Sequence, residues 1–169
     1  GAFALTIIVA VSGITVALIN LIDAEIGAHD EMGGICGTCE GSTFDACSNF
    51  GRLMCRDSYV GGIVGLMRKQ LPCRISNCLN AGDIQGFDLV GGIFGETEPP
   101  HEVTHCLNVG EIHAQSSGTW DPIGNVEGNS SYYLSKNYYK AMAYNPDAGG
   151  RIPVTAKEIS DGSVARLLN

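Results

Sequence analysis

Two short phrases recur in a fixed order along the chain, and this internal repeat limits the possible folds more than any other feature. The first phrase is an apolar residue followed by Gly-Gly-Ile-X-Gly, and its copies begin at Met32, Val60 and Val90. A fourth copy, without the Gly pair, begins at Trp120. The second phrase is Cys-X-Asn-X-Gly, and its copies begin at Cys47, Cys78 and Cys106. Repeats of roughly 29 residues are typical of solenoids, in which each unit buries its apolar side against its neighbours.

Each repeat contains three short apolar runs separated by Gly and Asn, a pattern that favours strands. In the unit that begins at Val60, the runs are 60–64, 74–79 and 83–85. Glycine supplies 23 of the 169 residues, a share that suits tight turns and close backbone stacking better than helix interiors. We therefore predict an all-β protein, a parallel β-solenoid (β-helix) of about four coils with three short strands per coil, stacked about 4.8 Å apart.

Equivalent residues of successive coils are expected to stack into columns. The predicted columns are formed by cysteines, asparagines and the Gly pair: Cys47, Cys78, Cys106, Asn49, Asn80, Asn108, Gly61, Gly62, Gly91 and Gly92. An asparagine amide can bond to the coils on both sides and tolerates a left-handed backbone, so we expect this column at a coil corner. The cysteines are predicted to be buried thiols, with a disulfide between adjacent coils as the alternative.

The two phrases resemble the GLUG repeat of large bacterial surface and secreted proteins. The residues that carry the resemblance are 59–65 and 75–84, within a match over roughly 17–134 that is strongest over 32–113. The family implies an extracellular, β-solenoid-like module whose motif residues are structural and not catalytic. The expected partners of such a module are a host or cell-surface protein or a glycan. Some immunoglobulin-A peptidases carry the same repeat outside their catalytic part.

The repeat divides the sequence into three parts. Residues 1–31 are predicted to be N-terminal strands or a cap with a degenerate first coil, and residues 32–118 to be the GLUG-type repeats. Residues 119–169 are predicted to be a degenerate last coil and a C-terminal cap, with the solenoid ending at Asp121–Pro122. Thr155 and Glu158 have the spacing of a capping box, which predicts a short helix in this cap.

The uncharged segment 2–22 is long enough to span a bilayer as a helix. A filament or membrane subunit built on this segment is therefore one alternative. Its many β-branched residues, and the Ser12-Gly13 pair in the middle, favour buried strands instead. The segment has no basic flank, so no cleavable signal peptide is predicted.

The sequence HEVTH at residues 101–105 matches the HExxH motif of zinc peptidases. On a helix, His101 and His105 would bind one zinc ion, Glu102 would activate a water molecule, and Glu127 is a candidate third ligand. The repeat register instead predicts a strand, on which the two histidines would lie roughly 13 Å apart, too far to share an ion. A zinc-dependent hydrolase or peptidase is thus the enzymatic alternative.

Cysteines and acidic residues give two further metal hypotheses. Cys36 and Cys39 form a CxxC motif, which with Cys47 and Cys55 would offer four zinc ligands or a redox site. Cys36 aligns with Val64 of the next repeat, however, which favours a buried core residue. The candidate calcium ligands lack the dense Asp-x-Asp spacing of a dedicated site, and they are Asp57, Asp83, Asp88, Glu96, Glu98 and Glu111.

Tyrosines cluster towards the C-terminus. The cluster consists of Tyr132, Tyr133, Tyr138, Tyr139 and Tyr144. We expect a hydrophobic seal over the last coil, because the open end of a solenoid exposes apolar cross-section and strand edges. An aromatic platform that binds a glycan is the alternative.

The net charge is −8, which argues against a nucleic-acid partner because no basic surface is available for phosphates. The sequence contains neither a Walker loop nor a GxSxG elbow. The expected function is a non-catalytic extracellular module of a bacterial surface or secreted protein, acting as a rigid spacer or an adhesin-like binding face. No cofactor is predicted, and neither the ligand nor the oligomeric state is indicated.

Overall fold

The chain forms a parallel β-solenoid that is followed by two short helices. The structure is a computed structural model and describes residues 7–9, 15–16, 19–21, 24–26, 31–68, 70–98, 100–115, 118–126, 134–141 and 150–168. The predicted fold class, an all-β solenoid with a helical C-terminal cap, is confirmed.

The described strands form three complete coils with a partial coil at each end. The first partial coil contains β1 (Ile7–Val9), β2 (Thr15–Val16), β3 (Ile19–Asn20) and β4 (Ala24–Ile26). The first complete coil contains β5 (Met32–Gly33), β6 (Cys36–Cys39), β7 (Thr43–Asp45), β8 (Ser48–Asn49) and β9 (Leu53–Cys55). The second contains β10 (Val60–Gly61), β11 (Val64–Met67), β12 (Arg74–Ser76), β13 (Leu79–Asn80) and β14 (Ile84–Gly86). The third contains β15 (Val90–Gly91), β16 (Phe94–Thr97), β17 (Glu102–Thr104), β18 (Leu107–Asn108) and β19 (Ile112–Ala114). The last partial coil contains β20 (Trp120–Asp121), β21 (Asn125–Val126), β22 (Leu134–Ser135) and β23 (Asn137–Lys140), and it is followed by β24 (Arg151–Val154), α1 (Ala156–Ser160) and α2 (Ser163–Leu168).

Strands at the same position in successive coils pair in parallel and build five sheets along the described part of the chain. Sheet A contains β1, β6, β11, β16 and β21, and sheet B contains β2, β7, β12, β17 and β22. Sheet C contains β3, β8, β13, β18, β23 and β24, sheet D contains β4, β9, β14 and β19, and sheet E contains β5, β10, β15 and β20. The register joins repeat-equivalent residues, as where Ile75 pairs with Phe44 on one side and Val103 on the other.

Each complete coil has five strands where the sequence predicts three, because two of the three apolar runs are bent. The run 60–64 spans β10 and the start of β11, and the run 74–79 spans β12 and the start of β13. The second bend has a left-handed backbone at Asn77 (φ 54°), and the same corner of the next coil has one at His105 (φ 55°). A left-handed residue cannot continue a strand, so one apolar run becomes two strands.

A column of asparagine amides runs through the interior beside sheet C. The Asn49 Nδ2 donates to Asn80 Oδ1 at 2.8 Å, and the Asn80 Nδ2 donates to Asn108 Oδ1 at 2.8 Å. Asn20 of the first partial coil extends the column, since its Nδ2 donates to Asn49 Oδ1 at 2.7 Å. The expectation that this column occupies a left-handed corner is wrong, because Asn80 lies in β13 and the left-handed residue is Asn77. The column therefore joins coils through buried side chains while the backbone remains extended.

The asparagine column packs directly on the second glycine of each Gly pair. A Cβ atom on Gly62 would lie 2.3 Å from the carbonyl oxygen of Gly92 and 2.5 Å from Cγ of Asn80. A Cβ atom on Gly92 would lie 2.4 Å from Nδ2 of Asn108. The first glycine is equally confined, because a Cβ atom on Gly61 would lie 2.0 Å from a backbone carbonyl oxygen. The two phrases of the repeat therefore occur together because their residues are in contact.

The interior contains two hydrophobic clusters and a third beneath the cap. The main core includes Phe44, Ile75, Phe94 and Val103, and a smaller core is formed by Met32, Leu53, Cys55, Val60, Ile84 and Val90. The third cluster joins Tyr138 of β23 and Val154 of β24 to Val164 of α2. The helices therefore cover the end of sheet C.

The predicted capping box begins α1. The Thr155 Oγ1 accepts from the Glu158 amide at 3.2 Å, and the Glu158 carboxylate accepts from the Thr155 amide at 2.8 Å. Two donors that the first helical turn would otherwise leave without partners are thereby satisfied.

Both partial coils stack on the complete ones. Residues 7–9, 15–16 and 19–20 of the apolar N-terminal segment are the strands β1, β2 and β3, which pair with β6, β7 and β8. At the other end, β21, β22 and β23 continue three of the sheets, so the expectation that the solenoid ends at Asp121–Pro122 is wrong. Neither helix in the described ranges has the length and apolar character needed to cross a bilayer.

Candidate functional site

The HEVTH segment is extended, and its residues face different environments. Glu102 begins β17 and lies exposed on the outer face, where the Arg74 Nη2 donates to its carboxylate at 2.7 Å. His101 precedes the strand and is 1% exposed, whereas His105 follows it at a left-handed corner. The helical arrangement needed for the zinc-peptidase hypothesis is therefore missing from this segment. Glu127 lies outside the described residues, and no group of three metal-binding side chains occurs in the described ranges.

His101 is held in the interior by the backbone of the preceding coil. Its Nδ1 accepts a hydrogen bond from the Cys73 amide at 2.8 Å. Because Nδ1 is an acceptor, the neutral ring carries its proton on Nε2. That Nε2 is buried and has no hydrogen-bond partner in the described part of the chain. An unpaired buried donor costs about 1–3 kcal/mol, so this histidine is an energetically unusual core residue.

Cys73, which His101 contacts, lies opposite a second thiol. The Cys39 Sγ donates to the Cys73 Sγ at 3.1 Å, and the two residues are 0% and 2% exposed. This hydrogen bond lowers the pKa of Cys73 against the effect of burial, and with burial it raises the pKa of Cys39. The repeat gives no signal for the pair, because Cys39 aligns with Met67 and not with another cysteine.

The four cysteines of the zinc hypothesis do not form one site. Cys36 pairs in register with Val64, as predicted for a core residue, and its thiol donates to the Thr38 carbonyl at 3.1 Å. Cys55 belongs to the smaller core, whereas the other three belong to the main core. All seven cysteines are buried thiols that are not joined in disulfides. The two cysteines of the CxxC motif are therefore buried core residues of one strand, β6.

The second-phrase cysteines lie in the main core, one in each complete coil. Each thiol donates to a carbonyl oxygen two residues earlier, at 3.8 Å for Cys47, 3.1 Å for Cys78 and 3.4 Å for Cys106. The contact with Cys106 raises the pKa of Cys78, as does burial. These thiols are therefore buried core residues.

The candidate calcium ligands are used in part to bind backbone amides. The Asp83 carboxylate accepts from the Glu111 amide at 3.0 Å, between two neighbouring coils. The Asp88 carboxylate accepts from the amides of Leu89 and Thr119. These carboxylates therefore support turns between coils.

The tyrosine cluster is buried where it is described. Tyr139 is 0% exposed in the main core, and Tyr138 is 5% exposed beneath the cap. Neither ring can stack on a sugar, so these two residues seal the end of the solenoid. Tyr132, Tyr133 and Tyr144 lie outside the described residues.

An open groove of 570 Å³ lies on the outer face of sheet B, next to the C-terminal helix. Its lining residues are mostly polar and are Thr43, Asp45, Arg74, Ser76, Asn77, Thr104, His105 and Leu168. The Asp45 carboxylate accepts from Ser76 Oγ and Asn77 Nδ2, both at 2.8 Å, and these bonds lower the pKa of Asp45. The groove therefore presents a carboxylate, a guanidinium group, hydroxyls and an imidazole to a polar ligand.

Sequence reasoning missed this groove because its residues occupy the solvent-facing positions of the repeat. The buried partners in sheet B, Phe44, Ile75 and Val103, alternate with the groove residues along each strand. In the sequence, such outward positions are indistinguishable from ordinary solubilising residues. The alternation itself is the available signal, since it places 43, 45, 74, 76 and 104 on one face.

No family model matches this sequence, and the comparisons found neither a similar curated protein nor a similar solved structure. The resemblance to the GLUG repeat therefore stays a prediction that depends on the motif residues alone.

Proposed function

We propose that this chain is a non-catalytic repeat module of a bacterial surface or secreted protein, in which the solenoid acts as a rigid spacer with an adhesin-like outer face. The observation that carries the proposal is the continuity of the bonded interior from coil to coil. Five sheets and the asparagine column join neighbouring coils. Bending the solenoid would break hydrogen bonds in several sheets and in the asparagine column at once. We therefore expect the module to be rigid and to hold its two ends at a fixed distance.

The outer surface suits a soluble module that binds a partner. The net charge of −8 favours a soluble exterior and disfavours phosphate-rich partners. The residues that repeat lie in the interior. The residues on the outer face of sheet B vary from coil to coil, as do Asp45, Ser76 and Thr104, which pair in register. A variable outer face on a constant interior is what a binding module requires.

Labelling of intact cells tests the location. An antibody raised against the purified chain should label intact cells of the producing bacterium, or detect the protein in the culture medium. Labelling that appears only after the cells are permeabilised would contradict the proposal. Elemental analysis tests the non-catalytic part, because stoichiometric zinc that is lost in a His105→Ala variant would point to the enzymatic alternative.

The groove favours glycan binding as a second candidate function. Its carboxylate, guanidinium and hydroxyl groups offer both donors and acceptors to a sugar. On a glycan array, the protein should bind a defined set of glycans, and Arg74→Ala should abolish that binding. Arg52→Ala is the matched control, because Arg52 is exposed next to β9 and does not line the groove. An array without a signal above background would eliminate the glycan candidate and leave the surface-labelling test unaffected.

A further inference from the structure

Two thiols from adjacent coils face each other in the main core. Cys39 ends β6, and Cys73 lies just before β12 in the next coil. Their sulfur atoms are 3.1 Å apart, although the residues are 34 positions apart in sequence. A disulfide bond is 2.03–2.05 Å long, so about 1 Å of movement would close it.

The backbone around both cysteines is fixed by hydrogen bonds between the coils. The Arg68 amide donates to the Cys39 carbonyl at 3.0 Å, and the Arg74 amide donates to the Ser42 carbonyl at 2.9 Å. The Cys73 amide donates to His101 Nδ1 at 2.8 Å. The two sulfur atoms are therefore held opposite each other by their surroundings, a form of preorganisation that favours a bond between them.

The second-phrase thiols of the main core have carbonyl partners. The thiols of Cys47, Cys78 and Cys106 donate to carbonyl oxygens of their own coils, and those of Cys78 and Cys106 also approach carbonyl oxygens of the preceding coil. The Cys39 thiol donates to the Cys73 sulfur atom at 3.1 Å. The hydrogen bond that it makes also lowers the pKa of Cys73, which makes Cys73 the better nucleophile of the two.

We propose that Cys39 and Cys73 form a disulfide that links two adjacent coils, made by exchange with a low-molecular-weight disulfide. The Cys73 thiolate attacks one sulfur of the external disulfide, which gives a mixed disulfide and releases one external thiolate that takes up a proton. The Cys39 thiol then gives its proton to water and attacks the Cys73 sulfur as a thiolate, which releases the second external sulfur as a thiolate that takes up a proton. In total, two protein thiols are oxidised and one external disulfide is reduced to two thiols. Because both cysteines are buried, the exchange takes place during folding or local opening.

This link does not depend on the proposed spacer function, but an extracellular location would favour it, since disulfides persist in oxidising compartments. It would also fasten the second complete coil to the first at the corner between sheets A and B. The described residues of that corner, 68 and 70–73, lie outside the strands.

Refolding in defined redox buffers tests the assignment. The full chain would be denatured, reduced and refolded in mixtures of reduced and oxidised glutathione, then quenched with acid, alkylated and mapped by peptide mass spectrometry. The expected result is a peptide pair joined through Cys39 and Cys73, with the other five cysteines alkylated. Alkylation of all seven cysteines in folded protein under oxidising buffer would overturn the proposal, and so would a dominant link between Cys47 and Cys78.

Two variants separate this pair from the cysteine column. Cys39→Ala should abolish the link, whereas Cys78→Ala, which also removes a buried thiol from the main core, should leave it intact. Should Cys39→Ala fail to fold, the wild-type protein supplies the second measurement. Its oxidised form should unfold at a higher urea concentration than its reduced form, because the link restricts the unfolded chain. An oxidised form that unfolds at the same or a lower concentration would contradict a link that fits the native geometry.

Discussion

Replacing Asn80 with alanine should destabilise the solenoid severely, because this residue is the centre of the buried asparagine column. Its Oδ1 accepts from Asn49, and its Nδ2 donates to Asn108 Oδ1 and to the Gly82 carbonyl, all at 2.8 Å. The side chain is 0% exposed, so water does not replace these bonds in the folded state. The change therefore removes three hydrogen bonds from the interior at once.

The expected loss is about 3 kcal/mol, because each hydrogen bond contributes about 0.5–1.5 kcal/mol net. Two of the partners keep a second bond, which prevents a larger loss. The Asn49 Nδ2 still donates to the Gly51 carbonyl at 3.0 Å, and the Asn108 Oδ1 still accepts from the Gly110 amide at 3.2 Å. Only the Gly82 carbonyl loses the amide donor that it had from the column.

Asn80→Asp, which preserves the shape, should be worse than alanine at pH 7. It places a carboxylate oxygen where the amide donor faced two acceptors, Asn108 Oδ1 and the Gly82 carbonyl. Burial, and the two acceptors that face the new carboxylate oxygen, raise the pKa of this carboxyl in the folded state above its unfolded value of about 3.9, against the one donor that remains, Asn49 Nδ2. A raised folded pKa means that stability is retained below the unfolded pKa and lost as the pH rises through the folded pKa. The variant should therefore recover stability between pH 7 and pH 4.

Urea unfolding followed by circular dichroism, at pH 7 and pH 4, measures both effects. Gln115→Ala is the matched control, because it removes an exposed amide and should change the stability by less than about 0.5 kcal/mol. If Asn80→Ala lowered the free energy of unfolding by less than about 1 kcal/mol, the attribution of stability to three buried hydrogen bonds would be refuted. The difference in unfolding free energy between the wild type and Asn80→Asp should be larger at pH 7 than at pH 4. An equal or smaller difference at pH 7 would contradict the claim that the asparagine column is buried and desolvated.

Three further changes test other parts of the structure. Gly62→Ala should destabilise the fold by at least about 2 kcal/mol through overpacking against backbone, and an unchanged urea midpoint would contradict the close approach of the asparagine column. Arg151→Ala should cost about 2 kcal/mol, because it removes the guanidinium whose Nε lies 2.7 Å from the mostly buried Asp121 carboxylate and leaves the amides of Ile123 and Gly124 as the donors, and an unaltered Tm would refute this. Asp45→Asn should reduce the acid sensitivity of the protein. The bond from Ser76 lowers the pKa of Asp45, so its stabilisation is present above the unfolded pKa and lost as the pH falls. Midpoints at pH 6 and pH 3 that fall equally in both proteins would contradict this role.

The fold could be predicted because the repeat fixes the register of the coils. Once Val60 is aligned with Val90, every inward residue of one coil has a partner in the next, and the structure pairs these two residues. The number of strands per coil could not be predicted in the same way. One of the two additional strands depends on left-handed corners at Ala46, Asn77 and His105. Asparagine and histidine are enriched in this conformation, but alanine is not, so the sequence does not mark the corner in every coil.

The HEVTH segment illustrates how register and motif give different predictions for the same residues. As a motif it indicates a helix, but its place in the repeat indicates a strand, and the structure has a strand over Glu102–Thr104. The register prevails because it reflects contacts with two neighbouring coils, including the pairing of Arg74 with Glu102. The short motif carries no such tertiary information. A motif within a solenoid therefore has to be checked against the columns before chemistry is assigned to it.

The sulfur pair could not be predicted from the repeat, because a repeat reports which residues stack and not which residues meet across a coil. Cys39 belongs to the column of Met67, and Cys73 belongs to the column of His101. They meet because the residue just before each sheet B strand is buried at the corner next to the end of the sheet A strand, as are Ser42, Cys73 and His101 in the three complete coils. A sulfur pair forms only where the two neighbouring columns both carry a cysteine in adjacent coils. The contact therefore belongs to this chain and not to the repeat.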